Sequence, residues 1–374
     1  MNVAYDLQAY SFSPHGGIAR MFDEMLTQFA KRPDFKALLL RNGPLQRLPP
    51  IAPNVRFTRW PALPLPLHKY VLIGSAYSRL ERAYWRTQGV DLYHPTFYPF
   101  HDMLNVLPCV VNVYDLIHER FEGADDMPDR SGFLQRKARF IRKAARIICI
   151  SEATKTDLLK YHSVDPSVVR VVHLGRNPVF RRMASDEARA RTEKLLGRDP
   201  RPFMLYVGSR QRYKNFHKFI RAYGQWSGRK DVDVIVVGGA QRAEDRVVLD
   251  LSGSPDRVRF VGHTDDETLC ALYNRAACFV YPSSCEGFGI PVLEALAAGC
   301  PLCLSDIPVF HEIAGDLAAY FDPDSPESAA RAFDRALALR NDAGFASLSA
   351  ARAESFSWTS CTDKVWAIYK EIVA

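Results

Sequence analysis

The stretch of sequence that decides the fold is SSCEGFGIPVLEA, residues Ser283–Ala295. It contains two glutamates, Glu286 and Glu294, with seven residues between them. A helix through both is excluded because glycines interrupt the interval, whereas proline is favoured at the first helical position and glycine just outside it. The sequence therefore predicts a helix that begins near Pro291 and stops at Gly299.

This helix start separates the two carboxylates. Glu286 lies in the loop, and Glu294 lies in or near the first turn of the helix. Between them, backbone N–H groups of the glycine-rich turn point outward at the positive end of the helix dipole, which favours an anion. The ligand that fits has a phosphate at its centre and hydroxyl-rich groups on both sides, which donate hydrogen bonds to the two carboxylates. A nucleotide-sugar has this arrangement.

The bulk composition is that of a globular protein with two domains. The chain has 374 residues, of which 47% are hydrophobic and 24% are charged. No apolar run reaches the roughly 18 residues that a membrane-spanning helix needs. The first residues lack the basic and apolar regions of a signal peptide, so we expect a cytoplasmic protein.

The net charge of +7 arises from 49 basic and 42 acidic residues. Such modest basicity suits an anionic membrane surface or a phosphorylated substrate. No nucleic-acid-binding motif is present, so we expect no nucleic acid partner. Segment 56–86 mixes cationic and aromatic side chains. This mixture fits peripheral contact with an anionic membrane, and it fits equally a solvated helix that packs its aromatic residues inward.

Short β-branched runs alternate with helical patterns, and the alternation restarts after the polar stretch 181–202. Such alternation predicts parallel sheets covered on both faces. The predicted fold class is α/β, with two doubly wound Rossmann-like domains at residues 1–180 and 181–356 facing each other across a cleft. An amphipathic helix within 357–374 can pack on either domain, including back on the first. Ligands of such sheets bind at the carboxyl ends of the strands.

A loop rich in cations opens the second domain. The strand that ends at Gly208 is followed directly by Arg210, Arg212 and Lys214. A departing diphosphate needs cationic partners, because negative charge builds on its oxygens as the bond to the sugar breaks. We therefore assign Arg210 and Lys214 to the site that binds the nucleotide-sugar, the donor site. The alternative is that both are solvated cations of the loop.

Two loops of the first domain carry the remaining candidates. Gly16 and Gly17 precede the first helix, where the backbone can approach a ligand closely; the alternative is a simple turn. Tyr114, Asp115 and His118 follow an apolar strand and lie on the acceptor side. Either Asp115 or His118 meets an acceptor hydroxyl, or these residues only cap the local structure.

No metal site is predicted. Cys300 and Cys303 have the spacing of zinc ligands, but no second pair accompanies them, which favours buried thiols. Two aspartate pairs, at 231 and 233 and at 322 and 324, fit a strand and a turn better than a metal-binding motif. The phosphates of a donor are expected to be neutralised by Arg210 and Lys214 instead.

With these residues in place, the chain resembles the family-four retaining glycosyltransferases, which are GT-B enzymes with a Glu-x7-Glu signature. The stretch from Glu286 to Glu294, with the helix and turn that follow it, carries the resemblance most specifically. Further similarity spans nearly the whole chain, in segments 16–20, 94–98, 114–119, 150–154, 207–215 and 313–316.

The resemblance implies roles for the matching positions. Glu286 would bind hydroxyls of the donor sugar, and Glu294 would bind the ribose hydroxyls. Arg210 and Lys214 would hold the diphosphate, and catalysis is assigned to these two residues and Glu286. The remaining donor contacts would come from the Gly16–Gly17 loop and from Gly287, Phe288, Gly289 and Ile290.

One position departs from the family pattern. Many members have a histidine where this chain has Tyr114, directly before Asp115, whereas the histidine of this chain is His118. The sequence of residues 114–119 is similar to that found in bacterial enzymes of surface-polysaccharide and lipopolysaccharide assembly, which are often mannosyltransferases. The resemblance thus implies a retaining, metal-independent hexosyltransferase whose co-substrate is a nucleotide-diphosphate sugar, with GDP-mannose favoured. It implies no cofactor, and a lipid-linked or oligosaccharide acceptor.

Two other functions share the pattern. A GT-B sugar-nucleotide epimerase would hydrolyse or invert its nucleotide-sugar without an acceptor, and a non-catalytic module would bind it without turnover. The joint presence of both glutamates with Arg210 and Lys214 favours an enzyme. A nicotinamide dehydrogenase is disfavoured, because the Gly16–Gly17 loop lacks the G-x-G-x-x-G spacing.

Overall fold

The structure is a computed structural model that describes residues 1–13, 16–41, 47–50, 52–59, 83–85, 87–99, 103–121, 130–197, 200–241, 243–342 and 344–373. Most of segment 56–86, the candidate membrane patch, lies outside these residues. The chain divides into two compact units. The first comprises Met1–Glu119, Met127–Gly175 and Trp358–Ala374, and the second comprises Arg120–Asp126 and Arg176–Ser357.

The first unit is built on parallel strands. They form described sheets of order β3-β2-β1-β4 and β5-β6-β7, which a parallel bridge between Tyr93 and Cys109 joins. Strand β5 is buried along its whole length, as expected for a sheet covered on both faces. The strands are β1 (Asn2–Asp6), β2 (Lys36–Arg41), β3 (Val55–Arg59), β4 (Leu92–Tyr93), β5 (Val110–Val113), β6 (Arg146–Cys149) and β7 (Val169–Val171).

The helices of this unit follow the predicted alternation, with one addition. The described helices are α1 (Gln8–Phe12), α2 (Gly17–Phe29), α3 (Ile117–Arg120), α4 (Arg130–Lys143) and α5 (Glu152–Tyr161). Helix α1 lies in the connection between the first strand and the first long helix. Helix α1 forms because Ala9 and Tyr10 are buried, while the Asp6 carboxylate accepts a hydrogen bond from the backbone N–H of Gln8 at 2.8 Å.

The second unit repeats the parallel architecture. Its described strands are β8 (Phe203–Val207), β9 (Asp233–Val237), β10 (Val258–Gly262), β11 (Cys278–Tyr281), β12 (Leu302–Ser305) and β13 (Ala318–Phe321), in the order β10-β9-β8-β11-β12-β13. All neighbouring pairs are parallel. Strands β8 and β11 are neighbours from which the order runs in opposite directions, so the loops after them meet at a topological switch point, where open α/β sheets bind ligands.

Helices cover both faces of this sheet. An aromatic cluster of Phe216, Phe219, Trp226 and Phe333 packs one face, in a core that includes Tyr206 of β8. The described helices of the unit are α6 (Ser185–Leu196), α7 (Phe216–Gln225), α8 (Ala243–Asp250), α9 (Asp266–Arg275), α10 (Ile290–Ala297), α11 (Pro308–Ala314), α12 (Pro326–Leu339) and α13 (Phe345–Glu354).

The last helix, α14 (Trp358–Val373), packs within the first unit. Its Tyr369 ring stacks on Phe29 of α2 with centroids 5.8 Å apart. The Tyr369 hydroxyl lies 3.0 Å from the hydroxyl of Tyr5 and 2.5 Å from Nδ1 of His94, which ties the helix to the ends of β1 and β4. No helix within the described ranges combines the length and the hydropathy needed to cross a membrane.

Candidate active site

The loops after β8 and β11 are joined to each other at the switch point of the second unit. The backbone N–H of Ser284 donates to the carbonyl oxygen of Tyr213 at 2.8 Å, and Asn215 Nδ2 donates to the carbonyl oxygen of Pro282 at 3.0 Å. Asn215 has φ 51°, a left-handed conformation that asparagine tolerates better than most residues. These contacts fix the β8 loop so that Lys214 is directed toward the β11 loop.

Lys214 and Glu286 form a buried ion pair there. Lys214 Nζ lies 2.5 Å from Glu286 Oε1 and donates a second hydrogen bond to the hydroxyl of Tyr281 at 2.9 Å. Burial by itself lowers the pKa of Lys214, but the charge and hydrogen bond of the Glu286 carboxylate, with smaller contributions from Tyr213 and Tyr206, together raise the pKa above that of an ordinary lysine. The ammonium group is therefore charged at neutral pH, at a place where little water is available to screen it.

The turn between the two glutamates needs glycine at its last position. Gly289 has φ 98° and directly precedes helix α10, and a Cβ built on it would lie 3.2 Å from Cε1 of Phe310. The helix begins at Ile290 and ends at Ala297, and Gly299 follows with φ 68°. The predicted start near Pro291 and stop at Gly299 are confirmed, within the usual uncertainty of helix ends.

Glu294 lies next to the first turn of α10, as predicted. Because α10 begins at Ile290, Glu294 is its fifth residue, and its side chain is buried. Its Oε2 accepts a hydrogen bond from the hydroxyl of Tyr273 at 3.1 Å. Burial, together with this carboxylate, raises the pKa of Tyr273 well above that of an ordinary tyrosine, so the hydroxyl keeps its proton and remains a donor.

Arg210 lies in the same β8 loop but contacts a different part of the unit. Its Nε lies 3.0 Å from Asp245 Oδ1, and its two terminal nitrogens donate to the carbonyl oxygens of Gly238 and Ala240 at 2.7 and 2.6 Å. The guanidinium also lies over the ring of Phe260, 5.1 Å from its centroid. Arg210 thus joins the loop after β8 to the loop after β9, and its described hydrogen bonds do not reach Lys214 or Glu286.

In the first unit, Gly16 and Gly17 stand at the start of α2. Gly16 donates its N–H to the carbonyl oxygen of Ser13 at 2.9 Å, and Gly17 is the first residue of the helix. A Cβ on Gly16 would lie 2.4 Å from the Ser13 hydroxyl oxygen, so this turn excludes a larger residue without rearrangement. The steric requirement accounts for Gly16 whether or not a ligand approaches it.

Tyr114, Asp115 and His118 all have local partners. The Tyr114 hydroxyl donates to the carbonyl oxygen of Thr96 at 2.7 Å, and burial raises the pKa of Tyr114 above its ordinary value. Asp115 Oδ1 accepts from the N–H of Ile117 at 3.1 Å and so caps helix α3. The His118 ring packs on Phe133, with centroids 4.9 Å apart. The capping role that the sequence left open for Asp115 is thus present in the structure.

A buried charge network fixes the loop that carries these three residues, and the sequence analysis missed it. Lys137 Nζ donates to the carbonyl oxygen of Asp115 at 2.7 Å and lies 2.9 Å from the carboxylate of Glu119. His162 Nε2 lies 3.1 Å from the same carboxylate. Burial raises the pKa of Glu119, but His162 and Lys137 outweigh this effect, so that its pKa is lower than usual. The signal was present, because Lys137 occupies the buried face of α4 together with Phe133 and Phe140.

The described residues contain no group of three or more His, Cys, Asp or Glu side chains placed to hold a metal ion. The eight cysteines, all of which the structure describes, form no disulfide and are buried, including Cys300 and Cys303. Burial raises the pKa of both thiols, which keeps them protonated. Metal independence itself stays a prediction.

Comparison with known families accounts for most of the chain. Residues 15–180 match the family described as "Glycosyltransferase Family 4", and residues 188–346 match "Glycosyl transferases group 1". The chain belongs to the family-four glycosyltransferases. The Glu286–Glu294 stretch, from which the resemblance was inferred, lies inside the second match.

Curated proteins of similar sequence include a mannosyltransferase. Over 190 residues this family-four chain is 30% identical to the O-antigen chain mannosyltransferase RfbU of Salmonella typhimurium (strain LT2), a match that covers 50% of each protein. The chain spans about half the length of the curated relatives it matches first.

Solved structures show the fold over nearly the whole chain. Sucrose-phosphate synthase from Thermosynechococcus elongatus superposes with a TM-score of 0.75 at 20% identity, over 99% of this chain and 98% of that one. Anabaena Alr3699/HepE in complex with UDP and glucose superposes with a TM-score of 0.70 at 18% identity, over 99% and 100%. The predicted fold class, GT-B with two Rossmann-like domains, is confirmed.

Proposed function

We propose that the protein is a retaining, metal-independent hexosyltransferase of bacterial surface-polysaccharide assembly. It transfers a hexose, with mannose favoured, from a nucleotide-diphosphate sugar to a lipid-linked or oligosaccharide acceptor. The observation that carries the proposal is the buried Lys214–Glu286 pair at the switch point of the second unit. The O-antigen mannosyltransferase among the relatives supports the choice of sugar and the pathway class.

The pair has the chemistry that a donor site needs. In the transition state, negative charge builds on the diphosphate, and a buried ammonium of raised pKa stabilises that charge more strongly than a solvated lysine does. Glu286 holds Lys214 in place and presents carboxylate oxygens that accept hydrogen bonds from sugar hydroxyls. The two side chains therefore address adjacent parts of one donor molecule.

The reaction we propose is a front-face displacement. The bond between the anomeric carbon and the phosphate oxygen breaks, and the hydroxyl oxygen of the acceptor bonds to the same face of that carbon. The proton of the hydroxyl goes to the departing phosphate oxygen, so no carboxylate acts as a nucleophile. Lys214 stabilises the departing diphosphate. Arg210 joins it only after leaving Asp245, so we give Lys214 the larger share of this role.

Glu294 and the acceptor-side residues have narrower roles in the proposal. Glu294 lies in α10 with its carboxylate held by Tyr273, and we propose that it accepts from the ribose hydroxyls of the donor. In the first unit, we propose that the loop from Tyr114 to His118, held by Lys137, receives the acceptor. The Gly16–Gly17 turn lets the diphosphate approach the first backbone N–H groups of α2, from Gly17 onward, since the Gly16 N–H is bonded to Ser13.

A donor panel tests the proposal directly. The full chain is incubated with GDP-mannose, UDP-glucose or dTDP-rhamnose, each with and without a membrane-extracted lipid-linked oligosaccharide. Release of the nucleoside diphosphate is measured, and NMR of the product determines its anomeric configuration. We expect release to depend on acceptor, to be fastest with GDP-mannose, and to give a product with the configuration of the donor.

The same panel separates the two alternatives. Hydrolysis or inversion of a donor at full rate without acceptor identifies an epimerase. Saturable binding of a donor with no turnover under any condition identifies a binding module. The expected cytoplasmic location and the peripheral membrane contact are separate proposals. Absence of co-sedimentation with anionic liposomes at low salt would exclude the membrane contact.

A further inference from the structure

A polar cavity lies in the second unit, at the opposite end of α10 from the Lys214–Glu286 pair. Its volume is about 380 Å³, and its walls include Ala298 and Gly299, just after the last residue of α10. Helix α10 has 8 residues and so separates the two places by roughly 12 Å along its axis. The cavity is therefore distinct from the candidate donor site.

The charge of this cavity is strongly one-sided. Four arginines line it, Arg182, Arg189, Arg275 and Arg340, and Asp342 is the one carboxylate among its lining residues. The excess is four minus one, or three positive charges. Asp342 Oδ1 already accepts from the backbone N–H groups of Gly344 and Phe345, so it is committed to the start of helix α13. Cations that line one cavity repel one another unless an anion lies between them.

Two of the arginines are held in place by the fold. Arg275 donates to the hydroxyl of Thr192 at 2.6 Å, and Arg340 donates to the carbonyl oxygen of Asn274 at 2.5 Å. The contact of Arg340 uses one of the five N–H donors that its guanidinium carries. Both side chains are thus positioned by the protein, and Arg340 keeps donors for a ligand.

The other two arginines complete the wall. The Cδ atom of Arg182 lies 3.5 Å from the position of a Cβ on Gly299, an ordinary van der Waals distance, so Arg182 lies against the end of the helix. Gly299 has φ 68°, which itself favours glycine. Within the described residues, neither Arg182 nor Arg189 has an acidic partner, although the neighbouring Arg181 and Arg191 are paired with Glu187 and Glu267.

We propose that this arginine-lined cavity, formed by Arg182, Arg189, Arg275 and Arg340, binds the phosphate or diphosphate group of a small ligand. Guanidinium groups bind such oxygens through paired, charge-assisted hydrogen bonds. The volume is near the lower end of the roughly 300–1,000 Å³ range of ligand sites, which suits a compact phosphorylated group better than a whole nucleotide-sugar. The group is carried either by a soluble metabolite or by a phospholipid headgroup.

Binding of inorganic pyrophosphate to the full chain tests the proposal by calorimetry. The titration uses the Lys214→Ala background, which weakens pyrophosphate binding at the candidate donor site. Arg182→Ala/Arg189→Ala is compared with Arg331→Ala/Arg335→Ala, which removes two exposed arginines of α12 outside the cavity. We expect the cavity variant to bind at least about tenfold more weakly, and the control variant to bind within about twofold of the Lys214→Ala parent. Thermal unfolding of each variant checks that it is folded.

The source of the phosphate group is resolved by a second arm with phosphatidylglycerol vesicles. Vesicle binding that pyrophosphate competes away, and that the cavity variant loses, supports a lipid headgroup. Pyrophosphate binding without such vesicle binding supports a soluble ligand. Absence of saturable pyrophosphate binding in the Lys214→Ala background, or equal affinities in the cavity and control variants, overturns the proposal. Neither readout involves glycosyl transfer, so the outcome does not depend on the proposed function.

Discussion

Two cations in the same loop, Arg210 and Lys214, each form a buried ion pair. They differ in how many further hydrogen bonds to the protein each one makes. Lys214 pairs with Glu286 and with one tyrosine hydroxyl, at the switch point of the sheet. Arg210 pairs with Asp245, donates to two backbone carbonyls and lies on the ring of Phe260. Both pairs are largely buried, so burial alone does not distinguish a working residue from a structural one.

The difference lies in the partners. The partners of Arg210 belong to the loop and helix that follow β9, so that removing one of them weakens a connection within the unit. The partner of Lys214 lies in the glycine-rich turn, which itself needs a left-handed glycine and opens onto the start of α10. We therefore expect changes at the Lys214 pair to affect turnover first, and changes at the Arg210 pair to affect stability first.

The largest expected effect is on turnover in Lys214→Ala. We expect kcat to fall by about 100-fold or more, because the variant loses a preorganised cation that meets the charge of the departing diphosphate. The matched control is Lys218→Ala, which removes a half-buried lysine of α7 that pairs with Asp324 in the turn before α12. Steady-state release of nucleoside diphosphate measures both. Equal rates in the two variants would contradict the assignment of Lys214.

The Arg210 pair gives the opposite pattern. In Asp245→Ala, Arg210 keeps its two carbonyl acceptors but loses its buried counter-charge, so we expect a loss of about 2 kcal/mol in the free energy of unfolding. This is less than the ~3–5 kcal/mol typical of a fully broken buried pair. We expect kcat to change by less than about tenfold. Urea unfolding and the transfer assay measure the two quantities. A large loss of kcat with unchanged stability would mean that Arg210, rather than Lys214, has the larger share in stabilising the diphosphate.

The Glu119 network in the first unit adds a dependence on pH. The folded pKa of Glu119 is below its unfolded value, so its stabilising contribution is present above roughly pH 4.3 and is lost as pH falls through the folded pKa. We expect Glu119→Gln to be less stable than wild type by about 1 kcal/mol at pH 6. The difference should shrink progressively toward pH 3. A difference that is constant across this range would mean that Glu119 is not the titrating group.

The smallest expected effect is on the stability of two glycine variants. It separates backbone strain from steric contact with Phe310 in the turn beside Glu286. Gly289→Ala meets both a positive φ and the Phe310 ring, whereas Gly253→Ala meets a positive φ with nothing within 4 Å of the new Cβ. We expect Gly253→Ala to cost about 1 kcal/mol of stability and Gly289→Ala somewhat more. Thermal unfolding measures both variants. If the two losses are equal, the contact with Phe310 does not constrain the turn.

The sequence predicted the fold class and the helix start at Pro291 because both depend on local patterns. Alternating strands and helices predict parallel sheets, and the order of glycines and proline places the turn. The pairing of Lys214 with Glu286 is between residues 72 positions apart, but both follow strands whose ends meet, so the sequence could suggest that they are neighbours. The predicted place of Glu294, in or near the first turn, agrees with the structure, because the observed helix begins only one residue before Pro291.

The remaining contacts depend on tertiary packing that no local pattern encodes. Asp245 lies in helix α8, after β9, and pairs with Arg210. The residues next to Asp245 in the sequence do not indicate this pairing. Lys137 is detectable as a cation on the apolar face of α4, but its partner Glu119 becomes apparent only when β5 and α4 are placed together. A long charged side chain can reach several possible partners, and its actual partner is fixed only by the packing of the folded protein.

One measurement tests the central claim most directly, that Lys214 binds the diphosphate of the donor. The dissociation constants of GDP and guanosine are measured by calorimetry for wild type, Lys214→Ala and Lys218→Ala. If the donor panel favours another base, the corresponding nucleotide and nucleoside replace them. The account predicts that GDP binds wild type and Lys218→Ala at least about tenfold more tightly than guanosine. In Lys214→Ala most of this preference should disappear, while the affinity for guanosine is unchanged. A preference for GDP that is fully retained in Lys214→Ala would contradict the account.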